Sequence, residues 1–328
     1  MGFPMAPRRI LLSTVLGVAL LAGACGGSDQ PVVSSPPGSA NTGSFSAQVG
    51  SGDLAVGGPQ RFELGIFQSS GQGVKLVTFG TVAMRFSYLG DGSASPTPGP
   101  TAIGRYVPAY GTTPSGPAPT LSDPSTARGV YWAQVRFDQP GTWQVEATVD
   151  VRGAGIQRLT AAFPVLAEHA LPAPGQPALK TDNLTLDSKG VPPSAIDSRA
   201  LDGKPIPDPD LHRWTIADAI AQHRPIVVVF ATPTYCQSQF CGPETDAVEA
   251  LAKTYGDRAV FIHVEIWRDF QNSVVNKGAA DWLYRNGDLV EPWLYLIGPD
   301  GVIRDRWGPL FDTRTVAKEL AQLPRMKP

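Results

Sequence analysis

The sequence predicts an antiparallel all-β sandwich followed by an α/β domain with a mixed sheet. Three observations predict it: apolar and polar residues alternate with period two over residues 45 to 167, a proline-rich connector follows over 168 to 213, and from 214 to 328 buried apolar runs alternate with helix-length segments. With 328 residues, 42% of them apolar and 17% charged, the chain can bury a core in each part. A net charge of -2 without any long basic block excludes the electrostatic footprint of nucleic-acid binding.

Residues 1 to 24 read as a signal peptide. Arg8 and Arg9 precede the short apolar run ILLSTVLGVALLAGA, and no positive stop-transfer flank follows it. Ala22, Gly23 and Ala24 ahead of Cys25 resemble a bacterial lipobox, although Leu21 stands four residues before the cysteine where lipoboxes usually carry leucine at three. The resemblance implies a lipid on Cys25 and a chain held at the extracytoplasmic face of the cell membrane. Residues 25 to 44, rich in Gly, Ser and Pro, then form a flexible tether. With Cys25 lipidated, Cys236 and Cys241 are the remaining thiols, and two cysteines five positions apart in an oxidising compartment favour a redox pair.

The first folded part takes its strands from RFELGIF, VTFGTVAMRFSYL, GVYWAQVRF, GTWQVEATVDV and IQRLTAAFPV. Tyr131, Ala133, Val135 and Phe137 alternate before Asp138-Gln139-Pro140-Gly141, and Trp143, Val145, Ala147 and Val149 alternate after it, which predicts a hairpin. The stretch from Asp91 to Pro124, heavy in Pro, Gly, Ser and Thr, is expected as a long surface loop. This pattern is similar to immunoglobulin-like sandwiches. The part contains no His and no Cys, so it carries no chemical constellation and reads as a spacer or partner-binding module.

In the second part, Thr215 with Asp218 three residues on predicts a capped helix ending near Gln222. PIVVVFA and AVFIHVEI predict buried strands, and GPETDAVEALAKTYG and NKGAADWLYRNG predict helices. WLYLIG and VIRDRWG form a hairpin around Pro299-Asp300-Gly301, and TRTVAKELAQL closes the chain as a helix. Of the tryptophans gathered here, Trp267, Trp282, Trp293 and Trp307, most are assigned to core packing.

This order, with VVVFATPTYCQSQFCGP after the first buried strand and EPWLYLIGPDGVI at the hairpin, resembles the thioredoxin superfamily over roughly residues 214 to 325. The resemblance implies a redox-active disulfide between Cys236 and Cys241. It makes Cys236 the nucleophile, Cys241 the resolving thiol and Pro292 the facing cis-proline. A thiolate at a helix start is favoured by unpaired N–H groups and the helix dipole, while the acids Glu244 and Asp246 in the same region partly offset that gain. Four residues separate the cysteines where the family has two. In a continuous helix the two Cα atoms would stand roughly 8 to 9 Å apart, beyond the reach of about 7 Å for a disulfide. Either the helix begins only at Gly242, leaving Cys236 to Cys241 as a loop, or oxidation unwinds its first turn; the Gly242-Pro243 pair favours the late start. Phe230 occupies the position of the family's buried acid. Glu265, Glu291 and His263 are candidate replacements, and the resemblance places only Glu291, beside Pro292, near the thiols.

These features predict a thiol-disulfide oxidoreductase with no cofactor beyond its dithiol, acting on protein thiols or disulfides. Three alternatives stand beside it. A peroxiredoxin-type thiol peroxidase shares the four-residue spacing, but Pro233 fills the slot where those enzymes place threonine, and Thr232 is one position early. A copper-binding chaperone of thioredoxin fold would need a downstream histidine, and none follows His263. A non-enzymatic surface-binding lipoprotein would use the bond as a structural disulfide, yet closing so short a loop stabilises little.

Overall fold

The computed structural model describes residues 43–90, 95–112, 116–236, 238–285 and 288–326. The signal peptide, Cys25 and nearly all of the 25–44 tether lie outside the described residues. No helix among the described residues is long and apolar enough to cross a membrane.

Alternation produces the first part's strands: β1 (Ser44–Val49), β2 (Gln60–Ser70), β3 (Gly73–Thr78), β4 (Thr81–Gly90), β5 (Thr97–Pro108), β6 (Thr120–Ser122), β7 (Gly129–Val135), β8 (Gly141–Val151) and β9 (Gly155–Val165). All pair antiparallel in the order β6-β3-β2-β7-β5-β4-β8-β9, with β1 also on β2. The all-β expectation therefore holds, but hydrogen bonding runs continuously through one sheet where the sandwich reading expects two. The sheet curls on itself where the segment between β1 and β2 meets the chain just past β9: Val56 N–H donates to Leu166 O and Leu166 N–H to Leu54 O, both at or under 2.9 Å. One core fills the inside, with Phe62, Phe86, Phe137, Trp143 and Phe163 in edge-to-face or tilted contact.

Three expectations for this part are corrected. The Asp91–Pro124 stretch is not one loop, because it contains β5 and β6. Pro98 and Pro100 are tolerated because β7 joins β5 only from Arg105 onward, leaving one side of the first half without a ladder to break. VTFGTVAMRFSYL is two strands, since Phe79 and Gly80 adopt φ of 66° and 63° and a side chain at Gly80 would strike Pro119. Asp138-Gln139-Pro140-Gly141 is not a hairpin turn: β7 pairs with β2 and β5, and β8 with β4 and β9. Periodicity identified the buried faces correctly here, and it does not specify neighbours.

The second part is built on a four-stranded sheet of order β11-β10-β16-β17, where β10 is Ile226–Ala231, β11 Val260–Glu265, β16 Trp293–Ile297 and β17 Ile303–Trp307. β10 and β11 run parallel and the other pairs antiparallel. Strand β10 is buried on both faces, so IVVVFA divides by parity. Ile226, Val228 and Phe230 join a core with α1 (Ile216–Ala221) and α3 (Lys277–Leu283). Val227, Val229 and Ala231 join another with α2 (Cys241–Tyr255) and α4 (Thr313–Gln322). Thr215 caps α1 by accepting from Asp218 N–H, as its spacing predicts. Two short ribbons, β12 (Trp267–Asp269) with β13 (Val274–Val275) and β14 (Tyr284–Arg285) with β15 (Asp288–Leu289), flank α3.

The connector at 168–213 packs closely against this sheet. It carries 3-10 turns at Pro193–Ala195, Ser198–Gly203 and Pro209–His212 and buries Leu171, Ala195, Asp197, Leu211 and His212. Curled sheet, connector and α/β part lie in one compact unit, Asn41–Pro328. Arg61 on β2 donates to Asp305 on β17 at 2.6 Å and stacks over Trp132 and Trp307.

A buried carboxyl pair also lies in this unit. Glu63 on β2 and Glu244 in the first turn of α2 are both almost fully buried. Burial raises both carboxyls well above their usual range, the charge of Glu63 raises Glu244 further, and Arg61 pulls Glu63 the other way. A carboxyl raised on folding adds stability fully below its unfolded value near 4.5, and that stability is lost as pH climbs through the folded value. Glu244→Gln is therefore expected to stabilise the chain more at pH 8 than at pH 5 in urea unfolding. An equal effect at both pH values contradicts this account.

Candidate functional site

Strand β10 ends at Ala231, and the chain then turns through Thr232–Tyr235 into Cys236. Cys236 and Cys241 are joined by a disulfide with Cα atoms 5.8 Å apart. The helix begins at Cys241, one residue earlier than expected, so the span before it supplies the freedom a helix would deny. Gln239 takes a left-handed φ of 65°, and its carbonyl accepts at 3.2 Å from Arg128, in the loop just before β7. Phe240 packs with Val107, Ala109, Val130 and Leu310. The cysteine loop is thus held by the first part as well as by its own sheet.

The two sulfurs differ. Cys241 is fully buried while Cys236 is half-buried. The Sγ of Cys236 accepts the Cys241 backbone N–H at 3.2 Å and lies 3.2 Å from the Ser238 hydroxyl. These donors, at the positive end of a 15-residue helix, are what a thiolate needs. Glu244 offsets this less than its sequence position suggests, because burial drives its carboxyl toward the neutral form.

Glu291 approaches the loop, and its peptide bond to Pro292 is cis. A carboxylate oxygen of Glu291 and the sulfurs of Cys236 and Cys241 all lie within 4.8 Å of one another. The structure thus brings together Cys236, Cys241 and Glu291. Beside them runs a groove of about 540 Å³, lined by Ser238, Phe240 and Glu291 together with Phe67, Leu76 and Val130 of the curled sheet. On another flank Tyr235 stacks on Phe270 at 4.0 Å between ring centroids, and Phe270 is exposed.

The other acid-base candidates are engaged elsewhere. Phe230 is buried against Trp282 and Tyr295. Glu265, raised by burial, accepts from Ser198 N–H at 2.7 Å and Trp267 N–H at 3.2 Å, which makes it an anchor for the connector. His263 belongs to a buried group with Asp197, Asp208 and His212, against which Arg199 also packs. Burial opposes ionisation of both aspartates, yet hydrogen bonds from His212 together with Arg199 hold them below the usual carboxylate range. The same two carboxylates raise His212 against the effect of its burial. Sequence reasoning missed this group because it treated residues 168 to 213 as a connector. The signal was there in Asp197-Ser198-Arg199 and in Asp208 four residues before His212.

Compared with protein-family models, with curated proteins and with solved structures, the chain matches none of them.

Proposed function

We propose that this chain is a thiol-disulfide oxidoreductase of thioredoxin-like type, working extracytoplasmically from a lipid anchor on Cys25. One observation carries the reading: a disulfide at a helix N-terminus joins a half-buried sulfur, already facing two hydrogen-bond donors, to a fully buried one. That asymmetry suits an attacking and a resolving thiol. The sheet order β11-β10-β16-β17 with helices on both faces supports the thioredoxin-like assignment, and the lipobox-like residues before Cys25 support the anchor.

In the reduced chain the Cys236 thiolate attacks one sulfur of a client disulfide. A client thiolate leaves and a mixed disulfide forms. Cys241 then loses its proton and attacks the Cys236 sulfur, which releases the second client thiolate and closes the Cys236–Cys241 bond. Two electrons pass from the dithiol to the client, and the reverse sequence oxidises a client dithiol. Glu291 is the group placed to take the Cys241 proton and pass it to the leaving thiolate. The groove joining Phe240 and Glu291 to the curled sheet gives an extended client segment a surface beside the sulfurs. The curled sheet is therefore part of the site, which its composition does not reveal. The test is turnover: reduced protein is expected to accelerate reduction of an unfolded, disulfide-bearing client under a recycling thiol. A rate equal to that of the recycling thiol alone overturns the reading.

A further inference from the structure

We infer that Asp197, Asp208, His212 and His263 form a binding site for one divalent transition-metal ion of the zinc class, separate from the cysteine pair.

The residues come from three places. Asp197 caps a 3-10 turn, Asp208 and His212 bracket the Pro209–His212 turn, and His263 lies mid-strand on β11. All four are buried, with both histidines fully so. One ligand atom from each lies within 4.8 Å of the others.

Distances carry the argument further. His212 Nε2 stands 3.3 Å from Asp208 Oδ1 and 3.4 Å from Asp197 Oδ2, and His263 Nδ1 stands 3.4 Å from the same Asp197 oxygen. These are long for charge-assisted hydrogen bonds, which close to about 2.7–2.9 Å. They match three of the six edges of a tetrahedron: bonds of about 2.0–2.1 Å to nitrogen and oxygen place neighbouring ligands roughly 3.3–3.4 Å apart.

A second, independent observation points to a ligand. His263 Nδ1 is fully buried and faces only the Asp197 carboxylate, at 3.4 Å and outside good hydrogen-bond geometry, while its Nε2 lies 3.3 Å from the Ala231 carbonyl. Donation from Nε2 to that carbonyl leaves the Nδ1 lone pair facing the aspartates, which is the tautomer a metal-binding imidazole requires.

Arg199 fits as an outer partner. It holds Asp197 Oδ1 at 3.0 Å through Nε and Asp208 Oδ2 at 2.6 Å through Nη2, leaving Asp208 Oδ1 turned to His212. Its Nη2 also contacts Asp197 Oδ2 at 2.6 Å, so that oxygen is shared. Two carboxylates and two neutral imidazoles are a hard-to-borderline donor set suited to zinc or cobalt. The ion would lock the connector onto the strands that launch the cysteine loop. Ser198, next to Asp197, already accepts the Thr234 N–H at 3.1 Å.

The test uses the full chain with all three cysteines replaced by serine, so that no thiolate can bind metal. After chelator stripping, the protein is titrated with Zn²⁺ and with Co²⁺. The expected result is one equivalent of either ion and a tetrahedral Co²⁺ visible spectrum without a thiolate charge-transfer band. His263→Ala and Asp208→Asn should each weaken binding by more than the ~10–100-fold typical of losing an outer-shell partner. Failure of the parent to bind a full equivalent overturns the proposal and leaves the cavity to a proton on His212. Binding that persists in both variants, with folding verified by circular dichroism, overturns it as well. Neither result bears on thiol exchange, which is assayed in the cysteine-containing chain.

Discussion

Cys236→Ser is expected to reduce client turnover to the uncatalysed rate, whereas Cys241→Ser is expected to accumulate a mixed disulfide between Cys236 and the client. The difference follows from placement. Cys236 is half-buried, with its sulfur receiving the Cys241 N–H at 3.2 Å and lying 3.2 Å from the Ser238 hydroxyl. An incoming disulfide can reach this sulfur, and the N–H and hydroxyl facing it are the groups a thiolate would use. Cys241 is fully buried behind it, so its one accessible target is the Cys236 sulfur. Removing Cys236 takes away the attack, while removing Cys241 takes away only the resolution. Non-reducing electrophoresis with mass spectrometry of the trapped species reads both outcomes. An adduct carried by Cys241 in the Cys236→Ser chain would contradict the assignment, and so would the absence of any adduct in the Cys241→Ser chain.

The largest effect on stability is expected at Arg306 on β17. Its guanidinium pairs with Asp53 Oδ2 at 2.7 Å, donates to the Pro172 carbonyl at 2.8 Å, and stacks over Trp293 with its Cζ 4.9 Å from the ring centroid. Asp53 is buried in the segment between β1 and β2 and also accepts the Ala170 N–H at 2.9 Å. Burial opposes its charge, but the His169 hydrogen bond and Arg306 hold its carboxyl below the usual range, so it stays ionised near neutrality. One side chain thus joins the curled sheet, the connector and the α/β sheet. Arg306→Ala leaves a buried carboxylate without its cation and is expected to cost about 3–5 kcal/mol, against a total of about 5–15 for an ordinary domain. Asp53→Asn in the same background should recover part of the loss by removing the stranded charge. Because the Asp53 value is lowered on folding, its contribution is present above the unfolded value near 3.8 and is lost as pH falls through the folded one. The penalty of Arg306→Ala should therefore shrink in acid. Denaturant unfolding followed by tryptophan fluorescence measures it, and a loss under about 1 kcal/mol, the level of an exposed pair, would contradict the account.

Much of the α/β part was legible because its elements rest on strong local signals. IVVVFA and VFIHVE are short runs rich in β-branched and aromatic residues, the mark of buried strands, and Thr215 with Asp218 marks a helix start. The curled sheet was half legible. Alternation identified the buried faces of β7 and β8, but their partners depend on contacts far apart in sequence, and proline hid β5 because its ladder is one-sided in the first half. At the site, spacing pointed to Cys236 and Cys241, and the thioredoxin resemblance pointed to Glu291. The roles of Arg128, which holds the Gln239 carbonyl, and of Phe240, which packs against the curled sheet, come from tertiary packing that no local pattern encodes. Composition hid the Asp197, Asp208, His212 and His263 group, since a proline-rich run can still be a packed one.

The central claim is that the Cys236–Cys241 bond exchanges rather than merely staples. The measurement that tests it most directly is the fraction of oxidised chain across a series of glutathione redox buffers, trapped by acid and alkylated, with both single serine variants as controls. An exchanging pair is expected to titrate within the range of the known dithiol oxidoreductases, about -270 to -120 mV. A bond that stays fully oxidised below about -300 mV behaves as a structural disulfide and would contradict the account.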